Sequence, residues 1–216
     1  MDIELSHLNH VYKHAEFVNK KLNRNAKIFK TNDRELAISD STFVICSLEK
    51  DRNVYWSQDF HIPRKYGFKQ VYGENGGVGS LFHALRNINV IVDLARDMEK
   101  LCPKALLLNF SNPEHKICEA VTRLTSINTV GLCHGVFMGR QQLSDLLNVP
   151  LSDLDTKACG INHFSWFQEI KQKSTGEDLY PKLKIIEEKG DWMAKWHELA
   201  LGRILYRRFG QWPSPA

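Results

Sequence analysis

Apolar positions along the chain follow two spacings in turn. Leu5, Leu8, Val11, Tyr12, Ala15, Val18 and Leu22 recur at helical intervals, so a helix is predicted over 5–22. Residues 26–31 read as a short strand and 33–38 as one or two helical turns. The run 41–47 (STFVICS) has a continuous apolar centre and strand length, and 104–110 (KALLLNF) and 128–132 (NTVGL) also read as buried strands. Helical character returns around 55–66, in a long helix over 81–101, and again over 114–124 and 140–147. The segment 73–80 (GENGGVGS) reads as a turn-rich loop.

Continuous apolar strands alternating with helices imply a parallel sheet covered by helices, an α/β doubly wound fold of the Rossmann kind. Ligands of such sheets lie beyond the carboxyl ends of the strands. Three polar clusters fall there: Cys46-Ser47, residues 109–112, and Cys133-His134. From about Ala158 the pattern shifts to shorter strands and loops. Two domains are therefore expected, a partial Rossmann-like one over 1–157 and part of a mixed α+β one over 158–216. A Rossmann fold opens on a strand and a Gly-rich turn that cradles pyrophosphate. No G-x-G precedes the first helix here. Residues 1–4 look instead like the end of a second strand, where an acidic side chain, here Asp2, would hold ribose hydroxyls. The first βα unit is expected to be absent.

Composition removes several classes of function. The net charge of +4 is mild, and no basic block with interleaved aromatics suggests nucleic acid. No apolar run approaches the ~20 residues of a membrane span. Met1 leads into polar sequence, so no signal peptide is expected. Cys46, Cys102, Cys118, Cys133 and Cys159 are odd in number and irregularly spaced, which argues for a reducing cytoplasm over a disulfide framework.

Single residues carry weaker signals. Cys133 follows an apolar strand and could present a soft thiolate to a transition metal, or be a small buried hydrophobe. A lone His163 in Gly160-Ile161-Asn162-His163 is as readily structural. Asn112-Pro113 after a strand is either a turn or an asparagine poised to bond a ligand hydroxyl. A comparable Asn-Pro follows a strand in lactate and malate dehydrogenases, so a dehydrogenase of that type is the alternative enzyme, and a non-catalytic remnant the alternative of another class. The dehydrogenase reading leaves Cys133 and His163 unexplained.

The ordered combination is more specific. Asn109-Phe110-Ser111-Asn112-Pro113, then Val130-Gly131-Leu132-Cys133-His134-Gly135, then Cys159-Gly160-Ile161-Asn162-His163 resembles glycoside hydrolase family 4. Ile62-Pro63-Arg64-Lys65-Tyr66-Gly67, the run 93–105 and Glu177-Asp178-Leu179-Tyr180-Pro181 extend the resemblance over nearly the whole chain. It implies a glycosidase that works by NAD-dependent oxidation at sugar C3, elimination, water addition and re-reduction, with a divalent metal, usually manganese. By that resemblance Cys133 and His163 are the metal ligands, and His134 is the general acid. Asn112 binds the sugar and Asp2 the NAD ribose. His134 after the cysteine is similar to the α-glucosidase, α-galactosidase and α-uronidase branches, which implies an α-linked, non-phosphorylated glycoside. The resemblance also implies a homodimer or homotetramer. It breaks off at both ends, before a Gly-rich turn and at about the point where the family supplies its catalytic base.

Overall fold

The computed structural model describes residues 1–190 and 200–214, in two compact units, Met1–Gly131 and Leu132–Ala216. The first unit contains α1 (Leu5–Lys21), α2 (Arg34–Ile38), β1 (Phe43–Cys46), α3 (Arg52–Lys65), α4 (Gly77–Leu101), β2 (Leu106–Asn109), α5 (Glu114–Leu124) and β3 (Thr129–Gly131). Its three strands are parallel, in the order β1-β2-β3, with Val44 beside Leu107 and Leu107 beside Thr129. This is the Rossmann-like α/β arrangement expected from the alternation of apolar strands and helices.

The core of this unit lies on one face of the sheet. Val44, Cys46 and Leu107 from the strands meet Ile38 of α2, Ile91, Leu94, Ala95 and Met98 of α4, and Ile117 and Val121 of α5. Side chains alternate across a strand. Phe43 and Ile45, pointing the other way, are exposed at 62% and 68%. Helix ends are marked by their chemistry: Asp33 accepts the Leu36 N–H at the start of α2, and Lys20 and Lys21 sit at the negative end of α1.

Three local expectations are corrected. Residues 26–31 form no strand; this segment finds no neighbouring strand, and Asn19 instead ties Ala26 back to α1. Residues 1–4 are likewise not strand: Glu4 caps α1, and Asp2 Oδ1 accepts the Glu4 N–H at 2.9 Å. The glycine-rich segment 73–80 is loop only as far as Gly76, and α4 begins at Gly77. Gly79 in its first turn is buried, because there the α4 backbone lies against the carbonyl of Asp59 on α3.

The second unit contains α6 (Gly135–Leu147), a 3-10 turn (Leu151–Asp153), β4 (Leu154–Ile161), β5 (Phe164–Gln172), α7 (Tyr180–Lys189), α8 (Ala200–Phe209) and β6 (Trp212–Pro213). β4 and β5 form an antiparallel hairpin with a bulge at Lys157/Ala158, and β6 pairs with β5. Leu143, Leu147, Leu154, Phe167, Ile170, Leu179, Leu183 and Trp212 make its core. Fully buried side chains of this size each contribute about 1.5–3 kcal/mol. Tyr180 locks the layer: its hydroxyl donates to the Phe167 carbonyl and accepts the Trp212 N–H at 3.1 Å.

Candidate functional site

Cys133 and His134 stand where the chain enters α6. His134 is the N-cap residue, exposed, with its carbonyl accepting the Met138 N–H at 2.9 Å. Cys133 is half-buried, and the Gly135 N–H points at its sulfur across 3.4 Å. Unpaired N–H groups at a helix start favour negative charge nearby. Gly135 is buried in the first turn of the helix that follows.

His163 lies in the same unit, at the tip of the β4–β5 hairpin, where Asn162 and His163 join Ile161 to Phe164. Its φ is +60°, a region few non-glycine residues enter, although histidine enters it more readily than most. Beside it, both amide atoms of Asn162 are shielded from solvent with no hydrogen-bond partner among the described residues. Such stranded atoms cost about 1–3 kcal/mol each and are uncommon in native structures without a role.

A thiol and an imidazole form a donor set that late divalent metals accept. Among the described residues no three His, Cys, Asp or Glu side chains gather to hold an ion. A metal held by only these two side chains would have coordination positions open to water or substrate, as catalytic metal sites do. The other thiols differ in setting. Burial pushes the Cys46 and Cys118 thiols up, so both favour the neutral form. All five cysteines are free.

Asn112 and Asp2 belong to the first unit. Asn112 follows β2, at the carboxyl end of the sheet, and its peptide bond to Pro113 is cis. The turn that holds it is built from side chains. Asn109 accepts the Ser111 N–H at 3.1 Å and donates to the Ser111 carbonyl at 3.0 Å. The Ser111 hydroxyl accepts the Leu48 N–H at 2.8 Å, which joins this turn to the loop after β1.

A cluster that periodicity alone does not reveal sits in the same unit. His83 of α4 is buried, with Asp59 3.0 Å from Nδ1 and Glu49 3.2 Å from Nε2. Arg86 pairs with Asp59, Arg52 with Glu49, and the Trp56 indole N–H donates to Glu74. The signal for it is positional. His83 and Asn87 fall on the face of α4 that Ile91, Leu94, Ala95 and Met98 mark as core. A polar residue at a core position needs partners.

A cavity of about 790 Å³ between α7 and α8 is lined by Tyr180, Lys184, Glu187, Tyr206 and Arg207, and includes none of the sequence-predicted site residues. Burial opposes ionisation of Glu187, yet hydrogen bonds from Arg207 and Arg203 hold its carboxyl below the usual range.

Models of the family 4 glycosyl hydrolases match residues 1–149, and those of the family's C-terminal domain match 158–216. The chain belongs to family 4 of the glycosyl hydrolases. It is 42% identical over 156 residues to an alpha-glucosidase of Erwinia rhapontici, covering 71% of this chain and 34% of that protein. It is 35% identical over 187 residues to an alpha-galactosidase of Bacillus subtilis, covering 85% and 42%. The structure superposes with a TM-score of 0.83 on a 6-phospho-alpha-glucosidase from gut microorganisms in complex with NAD and Mn2+, at 24% identity, covering 99% of this chain and 51% of that one. The chain thus spans less than half the length of these two curated relatives. Among the described residues no helix is long and apolar enough to cross a membrane.

Proposed function

We propose that this chain supplies the metal-binding and sugar-binding part of a glycosidase acting on α-linked, non-phosphorylated glycosides, with NAD and manganese as cofactors. The observation that supports the reading is that Cys133-His134, at the entry to α6, and His163, on the β4–β5 hairpin, lie within one unit. Cys133 and His163 hold the metal, and His134, exposed one residue from the thiol, protonates the leaving-group oxygen. Asn112 orients a sugar hydroxyl at the carboxyl end of the sheet, and Asp2 accepts hydroxyls of the NAD ribose. When bound, NAD supplies a hydride acceptor for sugar C3 and the metal a Lewis acid at the neighbouring oxygens. The preference for a substrate without phosphate rests on His134 following Cys133 and on the alpha-glucosidase and alpha-galactosidase names of the two curated relatives. The free cysteines support a cytoplasmic setting, and assembly as a homodimer or homotetramer goes with the family.

The test is turnover of 4-nitrophenyl and methyl α-glucosides and α-galactosides, and of their 6-phosphates, with NAD and manganese varied. In the complete glycosidase, activity is expected on the unphosphorylated set, dependent on both cofactors. Cys133→Ser should lose most of it, since a hydroxyl is a poorer ligand than a thiolate for these metals. His134→Ala should slow the methyl glycosides by ~10²–10⁴-fold and the nitrophenyl glycosides far less, because general-acid help matters for poor leaving groups. Full activity of Cys133→Ser after chelation and dialysis would refute the metal assignment. Equal slowing of both substrate types by His134→Ala would refute the acid.

A further inference from the structure

Resting on that reading, we propose that Asn87 is a positioning residue for the sugar site: its amide clasps the loops after β1 and β2 and fixes the backbone of Asn112. Asn87 lies in the middle of α4 and is only 1% exposed. Its Nδ2 donates to the Asn112 carbonyl at 3.0 Å, and its Oδ1 accepts the Lys50 N–H at 3.2 Å. One rigid amide thus reaches two segments that leave adjacent strands of a parallel sheet, on the side where ligands of such sheets bind. Ser111 makes a second tie between the same loops through the Leu48 N–H.

The energetic case for a role beyond packing is direct. The other buried residues of α4 between Asn87 and its end are apolar: Ile91, Val92, Leu94, Ala95 and Met98. An apolar side chain at 87 would fill the core position as well, but would leave the Lys50 N–H and the Asn112 carbonyl without these partners. What asparagine adds is a fixed distance between two loops that secondary structure does not hold. A ligand hydroxyl read by the Asn112 side chain requires that its backbone not drift, since misplacement by ~1 Å can cost on the order of 10²-fold in rate.

The experiment compares wild type, Asn87→Asp, Asn87→Ala and Asn112→Ala, by amide exchange and carbonyl shift in this chain and by turnover in the complete glycosidase. A carboxylate at 87 still accepts the Lys50 N–H but cannot donate to the Asn112 carbonyl; alanine loses both. Lys50 amide exchange should stay slow in Asn87→Asp and quicken in Asn87→Ala. The Asn112 carbonyl carbon shift should move in both. With NAD, manganese and 4-nitrophenyl α-glucoside or α-galactoside, Asn87→Asp should lose about 10²-fold in kcat/KM, chiefly through KM. Adding Asn87→Asp to Asn112→Ala should cost little more, because the first acts through the second. Fully additive losses, or an Asn87→Asp enzyme with unchanged KM, would overturn the proposal. The amide exchange and carbonyl shift need no turnover. Failure of the glycosidase reading therefore appears as an inactive wild type, and failure of the clasp as an unmoved Asn112 carbonyl.

Discussion

Gly79→Ala sets two familiar effects against each other. Within a helix, alanine normally gains about 1 kcal/mol over glycine. Position 79 lies in the first turn of α4, so propensity alone predicts a more stable protein. The structure predicts the reverse. A Cβ at 79 would stand 2.1 Å from the Asp59 carbonyl oxygen, 2.8 Å from its carbon and 3.1 Å from the Gly73 carbonyl oxygen. Ordinary contact begins near 3.4 Å, and all three atoms are backbone, so no side chain can swing aside. Relief requires α3 and α4 to separate by roughly 1 Å, which loosens the Asp59–His83 bond they share. Overpacking of this kind costs about 1–3 kcal/mol and occasionally more. With all three contacts against backbone the upper end applies, and the propensity gain leaves a net loss of about 2 kcal/mol. In urea this corresponds to a midpoint lower by roughly 1 M for the first unit. Gly176→Ala is the control: nothing lies within 4 Å of its Cβ, and its φ of +75° makes backbone strain the only penalty, about 1 kcal/mol. Unfolding followed by tryptophan emission separates the outcomes. A Gly79→Ala protein as stable as wild type would show that α3 and α4 do not pack as closely as described.

Two further predictions concern the second unit. Glu169, hydrogen-bonded to Lys157 and Lys171 on the β4–β5 hairpin, has its carboxyl pulled down to about 2. Its contribution to the hairpin is complete above the ordinary range near 4.5 and is lost as pH falls through 2; carboxyl NMR titration should show the low value, and Lys157→Ala should raise it. Burial pushes the Tyr180 hydroxyl up to about 12, so its contribution holds below pH 10 and is lost as pH rises through 12. Tyr180→Phe should destabilise the unit by about 1–3 kcal/mol, because the Phe167 carbonyl and Trp212 N–H lose their partner. A stability change under 0.5 kcal/mol would count against that hydrogen-bond pair.

Hydrophobic periodicity located the sheet because each strand is an apolar run bounded by turn chemistry: Phe43–Cys46, Leu106–Asn109 and Thr129–Gly131 all fall inside the predicted segments. It failed where the deciding force is not burial. Residues 26–31 have strand-like composition but no neighbouring strand, and a lone strand cannot satisfy its own backbone. Residues 77–80 read as loop because glycine is a poor helix former, yet Gly79 is glycine so that two helices can touch. The candidate site was legible as far as motif order carried it. Cys133, His134, His163 and Asn112 were each named from sequence, at a strand end, a helix entry or a hairpin, but none of those placements reveals what holds them there.

For Asn112 that support comes from positions where pattern and chemistry disagree. His83 and Asn87 occupy core positions of α4 and would weaken the helix's apolar face if they only packed. Asn87 is instead hydrogen-bonded on both sides, and His83 is hydrogen-bonded to Asp59 through Nδ1 with Glu49 3.2 Å from Nε2. His83 lies between Glu49 and Asp59, and Asn87 between Lys50 and Asn112, so one helix holds the loop after β1, helix α3 and the loop after β2. Loops over a parallel sheet make few hydrogen bonds of their own, and a binding residue on such a loop is only as fixed as the groups that pin its backbone. A core made wholly of leucine and isoleucine could stabilise α4 against the sheet, but it could not set where Asn112 stands. Of the two buried polar residues on α4, Asn87 ties the fold to the position of Asn112, while His83 ties α4 to α3 through Asp59.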